Sequence, residues 1–149
     1  MQYITEIEIA LPREQVIELF DDVDNLYKWQ RGLKSFKHLS GEAGQPGAKS
    51  ELVFQMGKRT VEMIETIIVR DLPDTFSATF DAKGVHNVVE NSFEDVDGER
   101  TRWVSRNEFQ FKGFMKVIGF LMKGAFPKES LKHMQNFKAF AEEGKNVNE

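Results

Sequence analysis

The sequence predicts an α+β domain in which a seven-stranded, curved antiparallel sheet and two short helices close around a long C-terminal helix to enclose a cavity. Three observations carry this prediction. Apolar residues alternate with period two from Leu33 to Phe111, interrupted five times by turn residues. Beyond Gly113 the apolar spacing becomes that of a helix. A count of 13 Phe against 2 Tyr and 2 Trp supplies an aromatic interior almost without polar handles.

A chain of 149 residues is expected to form one domain spanning residues 1–149, burying about 70% of the surface its unfolded chain would expose. The 20 Lys and Arg against 24 Asp and Glu leave a net charge of -4. Neither sign forms a block that would track a phosphate backbone, so nucleic acid is not an expected partner. The absence of cysteine removes disulfides, thiolate metal sites and cysteine nucleophiles from consideration. Residues Met1 to Ile9 lack the basic start and continuous apolar run of a secretory signal, and no segment has the ~18 uncharged apolar residues of a membrane span. A cytoplasmic location is the expectation.

The elements follow in order. Tyr3, Thr5, Ile7 and Ile9 alternate with Gln2, Glu6 and Glu8, which marks a first strand over about Gln2 to Ala10 with one dry face. Pro12 can open a helix without losing a hydrogen bond, and Val16, Leu19, Phe20 and Val23 continue it at helical spacing to a break near Asp24 and Asn25. A second short turn carries Leu26, Tyr27 and Trp29. Six strands follow, separated at Gly41 to Gly47, Met56 to Lys58, Leu72 to Asp74, Lys83–Gly84 and Asp97–Gly98. The Asp97–Gly98 pair is the strongest hairpin signal, and short turns throughout imply an antiparallel meander.

After Gly113, Phe114, Val117, Ile118, Leu121, Ala125, Leu131, Met134, Phe137 and Ala141 share one broad face of a helix of about 30 residues. Pro127 lies inside it, and a kink or a break into two helices is expected there. The first half of this helix is apolar most of the way round, with only Lys116 and Lys123 charged between Phe114 and Phe126. One side must meet a ligand, a gate over the cavity mouth or a second copy of the chain, unless it packs beneath loops of its own chain.

Alternation also assigns the inward faces of the strands. They read Leu52, Phe54, Met56; Val61, Met63, Glu65, Ile67, Val69; Phe76, Ala78, Phe80; Val85, Asn87, Val89, Asn91, Phe93; and Thr101, Trp103, Ser105, Asn107, Phe109, Phe111. Amides and hydroxyls recur on adjacent inward faces, where a solid core would penalise them and a cavity would not. Two alternatives stay open. Glu65, Asn91 and Asn107 can pair with one another or with backbone, and one bulge would exchange the Glu65 face for that of Thr60, Glu62, Ile64, Thr66 and Ile68. A buried Glu65 would have a raised pKa suited to general acid or base work. His38, His86 and His133 show no metal-ligand spacing and read as surface histidines, and no nucleophile elbow, phosphate loop or dinucleotide fingerprint is present. No metal and no cofactor are expected.

The order of elements, the segment Leu11 to Asp22 with Asn25 and Trp29, the Gly41 to Gly47 turn and the strand Met63-Ile64-Glu65-Thr66 together resemble the SRPBCC, or START-related Bet v 1-like, superfamily, and within it the polyketide cyclase/dehydrase and lipid-transport branch. The resemblance implies the helix-grip fold. Members bind lipids, sterols, polyketides, hormones or ubiquinone, some are aromatases or cyclases, and others are co-chaperones.

Residues and resemblance together give one leading expectation: a binding or transport protein for a small hydrophobic or amphipathic molecule, lipid-like or aromatic. The cavity would be lined by Phe54, Met63, Glu65, Phe80, Val89, Asn91, Phe93, Trp103, Ser105, Asn107, Phe109, Ile118, Leu121 and Phe126. Two other readings remain: a cyclase or dehydratase using Glu65 as acid and base, and a co-chaperone-like interaction module. The apolar C-terminal helix offers a surface for a homodimer.

Overall fold

The structure is a computed structural model and describes the whole chain, Met1 to Glu149. Seven strands form one antiparallel sheet: β1 (Gln2–Ile9), β2 (Leu33–Ser40), β3 (Lys49–Met56), β4 (Arg59–Asp71), β5 (Thr75–Ala82), β6 (Val85–Asp95) and β7 (Thr101–Phe111). Their spatial order is β1-β7-β6-β5-β4-β3-β2. The meander thus runs from one edge to the other, and the first strand returns beside the last. Because β1 and β2 occupy opposite edges, the segment joining them must cross the sheet. It does so as two short helices, α1 (Arg13–Phe20) and α2 (Val23–Trp29). The arrangement is the predicted α+β helix-grip fold.

Three boundaries differ from those expected. The break between the first two helices falls at Asp21 and Asp22, not at Asp24 and Asn25, because the Asp22 carboxylate accepts the Asp24 N–H at 2.9 Å and caps α2. Val23 therefore belongs to the second helix. The C-terminal helix is two helices, α3 (Met115–Leu121) and α4 (Ala125–Glu143). They part at Met122 to Gly124 and not at Pro127, which lies in the first turn of α4, where its missing N–H would have no partner in any case. Finally, the pairing of β4 with β5 shifts between Ile67 and Val69. The shift turns Val69 outward, 42% exposed, and brings Arg70 to the inner face.

Helix α4 lies across the sheet against β1 and α2. Beneath it, Ile9, Val16, Trp29, Phe93, Trp103, Met134 and Phe137 form the main core, and Leu33, Leu52 and Phe54 form a second cluster under the far edge. The main core fills one end of the sheet only. Helix α3 packs on β7 through Gly119, where a Cβ would come within 2.7 Å of the Phe111 ring. Only a glycine lets the helix sit that close.

Candidate functional site

Between the two clusters the concave face of the sheet, α2 and α4 enclose a cavity of about 810 Å³. Paired residues in adjacent strands share a face, so the lining is organised as rows across the sheet. One row reads His38, Ser50, Glu65, Phe80, Asn87, Phe109. The next reads Ile67, Ala78, Val89, Asn107, Tyr3. A third reads Arg70, Phe76, Asn91, Ser105. Every one of these residues lines the cavity. Opposite them, Phe126, Ser130, His133 and Met134 present one face of α4, and Leu26 and Trp29 come from α2.

The polar groups on the wall divide into satisfied and unsatisfied ones. Asn91 Oδ1 accepts the Trp103 indole N–H at 2.9 Å. Asn107 donates to Ser105 Oγ at 3.1 Å and accepts from Asn87 Nδ2 at 3.3 Å, while Asn87 also reaches the Glu108 carbonyl at 3.2 Å. The Tyr3 hydroxyl pairs with Ser130 Oγ at 2.7 Å and ties β1 to α4. Asn91 and Asn107 are therefore pinned by other side chains of β6 and β7, Asn91 by Trp103 and Asn107 by Asn87 and Ser105, and not by each other or by Glu65, which has no partner among them.

Glu65 projects from mid-β4 between Ser50 and Phe80. Burial alone pushes its carboxyl pKa up to about 7, with no partner charge or hydrogen bond to hold it down. It therefore stands near half-protonation at neutral pH, able to give a proton or take one. On the opposite wall His133 packs against Trp29 with ring centroids 5.3 Å apart, and burial pushes its pKa down to about 4, which keeps the imidazole neutral. The Trp29 indole Nε1 is buried with no acceptor. At the cavity edge Arg70 makes a two-pronged ion pair with Asp21 at 2.8 and 2.5 Å, fastening β4 to the end of α1.

Of the residues expected here, Phe54, Met63, Glu65, Phe80, Val89, Asn91, Trp103, Ser105, Asn107, Phe109 and Phe126 line the cavity. Phe93, Ile118 and Leu121 do not. Phe93 is 2% exposed and stacks on Trp103 at 5.8 Å in the solid core, in the sheet row covered by α1. Ile118 and Leu121 belong to α3, which the break before α4 detaches from the cavity, and Leu121 is 71% exposed. His133 is a wall residue, not a surface histidine. Its place was readable from helical spacing, since it shares a stripe with Phe126, Ser130 and Phe137. Arg70 and its partner Asp21 could not be found from alternation, because the bulge inverts the pattern just before Arg70. No cluster of three or more His, Cys, Asp or Glu side chains that could hold a metal ion is present.

Comparison with known proteins places this architecture. Comparison with curated protein sequences finds no match. Among solved structures, the Zhui aromatase/cyclase from a Streptomyces species superposes with a TM-score of 0.79 at 16% identity, covering 95% of this chain and 93% of that one. A conserved protein from Geobacillus kaustophilus gives 0.79 at 17% identity over 98% of both chains. Truncated norcoclaurine synthase from Thalictrum flavum gives 0.72 at 13% identity over 96% and 94%. Likeness at such identities establishes the shared fold. The sequence itself matches the family described as polyketide cyclase / dehydrase and lipid transport over residues 3–142, and to that family this chain belongs.

Proposed function

We propose that the protein binds a small amphipathic molecule, with an aromatic or lipid-like body and a polar end, in the cavity between the sheet and α4. One observation carries the reading: Glu65 stands unpaired on the wall of a chamber of about 810 Å³ lined by aromatic and aliphatic side chains and by amides that have found partners of their own. That volume fits a drug-sized ligand, and a buried carboxyl without a partner is a costly group that a ligand's polar end would satisfy. Burial of the apolar body would supply most of the affinity. Trp29 Nε1 and the neutral His133 offer a donor and a second polar contact on the facing wall.

Both tryptophans of the chain, Trp29 and Trp103, line the cavity, so their fluorescence reports directly on its contents. Titration with a panel of fatty acids, sterols and polyphenols is expected to shift it. Ala78 is 2% exposed at the centre of the cavity floor, and Ala78→Phe is expected to weaken binding at least about tenfold by filling the space. Equal affinity in wild type and Ala78→Phe, or no response to any compound together with a ligand-free mass in native mass spectrometry, would sink the proposal.

The Glu65 pKa near 7 favours one second reading, a cyclase- or dehydratase-type enzyme in which Glu65 moves a proton and the Asn87–Asn107–Ser105 network holds a carbonyl. It predicts turnover that Glu65→Gln abolishes without loss of ligand binding. Retained turnover in that variant would exclude it.

A further inference from the structure

Helix α3 and the turn after it carry the largest exposed apolar group of the molecule. Phe114 is 75%, Phe120 72% and Leu121 71% exposed, with Val117 and Met122 at 50%. On a helix with 3.6 residues per turn, Phe114, Val117, Phe120 and Leu121 fall on a stripe of about 120°. Gly119, which seats the helix on Phe111, points the opposite way. The apolar stripe is therefore held outward by the packing of the helix, with no element of the chain covering it.

The charge of this segment differs from that of the rest. Between positions 112 and 128 lie Lys112, Lys116, Lys123 and Lys128 and no Asp or Glu. In a chain of net charge -4 these four lysines leave -8 for everything else. Lys123 Nζ stands 5.7 Å from the Phe120 ring, so charge and apolar surface are interleaved. A symmetric dimer would bring the same lysines together from both copies, which disfavours self-association. Exposed aromatic and aliphatic groups on a segment whose only charges are lysines are instead complementary to a surface that is apolar inside and anionic outside.

We propose that α3 docks the protein on an anionic lipid bilayer, with Phe114, Phe120 and Leu121 entering the headgroup boundary and the four lysines meeting lipid phosphates. The position suits delivery or uptake of an amphipathic molecule. Phe111, on which α3 rests, lies 5.6 Å from Phe126, and Phe126 is a cavity wall residue. Docking would thus hold the cavity wall behind the Phe111 ring and the thickness of α3, on the membrane-facing side of the protein. The surface and its charge do not depend on what the cavity holds.

Vesicle flotation of the full chain tests this. Binding is expected to vesicles of phosphatidylcholine with phosphatidylserine, little to phosphatidylcholine alone, and a decline as salt is raised. The pair Lys116→Glu with Lys123→Glu should weaken binding at least about tenfold, and Phe120→Asp should weaken it at unchanged thermal stability, since the side chain is exposed. Absence of binding to anionic vesicles, equal binding to neutral ones, or undiminished binding by the lysine variant overturns the proposal. So does a sedimentation dimer of the free protein that Phe120→Asp dissociates, which would make the patch an interface between copies.

Discussion

Phe137→Ala is expected to lose about 3–5 kcal/mol of stability, a large part of the 5–15 kcal/mol typical of a domain. Phe137 is fully buried, and its ring meets Trp29 at 5.1 Å, Trp103 at 5.4 Å and Phe20 at 6.1 Å, all edge to face. It is the point where α4 grips both α2 and the sheet, so truncation removes transfer energy and three aromatic contacts at once. The surrounding rings are themselves packed against one another and cannot collapse into the space. Urea unfolding at neutral pH should show a lower midpoint with an unchanged slope. A loss below about 1 kcal/mol would mean that the site repacks and that α4 is not fastened here. Because Trp29 and Trp103 are also cavity walls, the same variant should loosen the ligand chamber.

The contrast between solid core and hollow chamber explains what could be read from the residues. Period-two alternation locates strands well wherever one face is dry, so the six-strand meander follows from hydropathy alone, whereas the choice between the Glu65 face and that of Thr60, Glu62, Ile64, Thr66 and Ile68 rests on the strand pairing. Alternation does not say whether a dry face meets side chains or a cavity. Phe93 and Phe80 look alike in their strands, but Phe93 lies under α1 and packs solidly, whereas Phe80 faces open space. A bulge carries no hydropathy signal of its own, and the one after Ile67 hid Arg70. In the C-terminal region the expected break was attached to Pro127. The chain parts earlier, at Met122 to Gly124, and Pro127 fits the first turn that results. That shift of a few residues took Ile118 and Leu121 off the cavity wall, leaving Ile118 half-buried and Leu121 on the outer surface. His133 was misplaced for a different reason: a lone histidine among lysines reads as solvent-facing until its helical neighbours are counted.

Glu65 and His133 stand on facing walls of the cavity, and burial disfavours the charged form of each, with opposite consequences for the pH dependence of stability. The Glu65 carboxyl has an ordinary value of 4.5 and a folded value of about 7. Between these the folded chain holds more protons than the unfolded one, so stability falls as pH rises, with the full loss reached above about 7 and none below about 4.5. For His133 the values are 6.5 and about 4. There the unfolded chain holds more protons, so stability falls as pH drops, with the full loss below about 4 and none above about 6.5. Each effect amounts to about 3 kcal/mol at its limit. Over the interval they share, the two slopes oppose and largely cancel. Single variants should therefore expose slopes that the wild type hides. Glu65→Gln is expected to be more stable than wild type by about 3 kcal/mol near pH 8 and equal to it near pH 4.5. His133→Asn should differ in the reverse sense, with its stability relative to wild type rising as pH falls below about 6.5. Chemical denaturation across this range measures both differences directly. If the Glu65→Gln curve runs parallel to wild type, the carboxylate is solvated in the folded state, and the cavity at that point is wet and open instead of a site awaiting a ligand's polar end. If the expected slope is seen, the same experiment repeated with a bound amphipathic ligand whose polar end is a donor should flatten it, because a hydrogen bond donated to the Glu65 carboxylate replaces the water that folding removed.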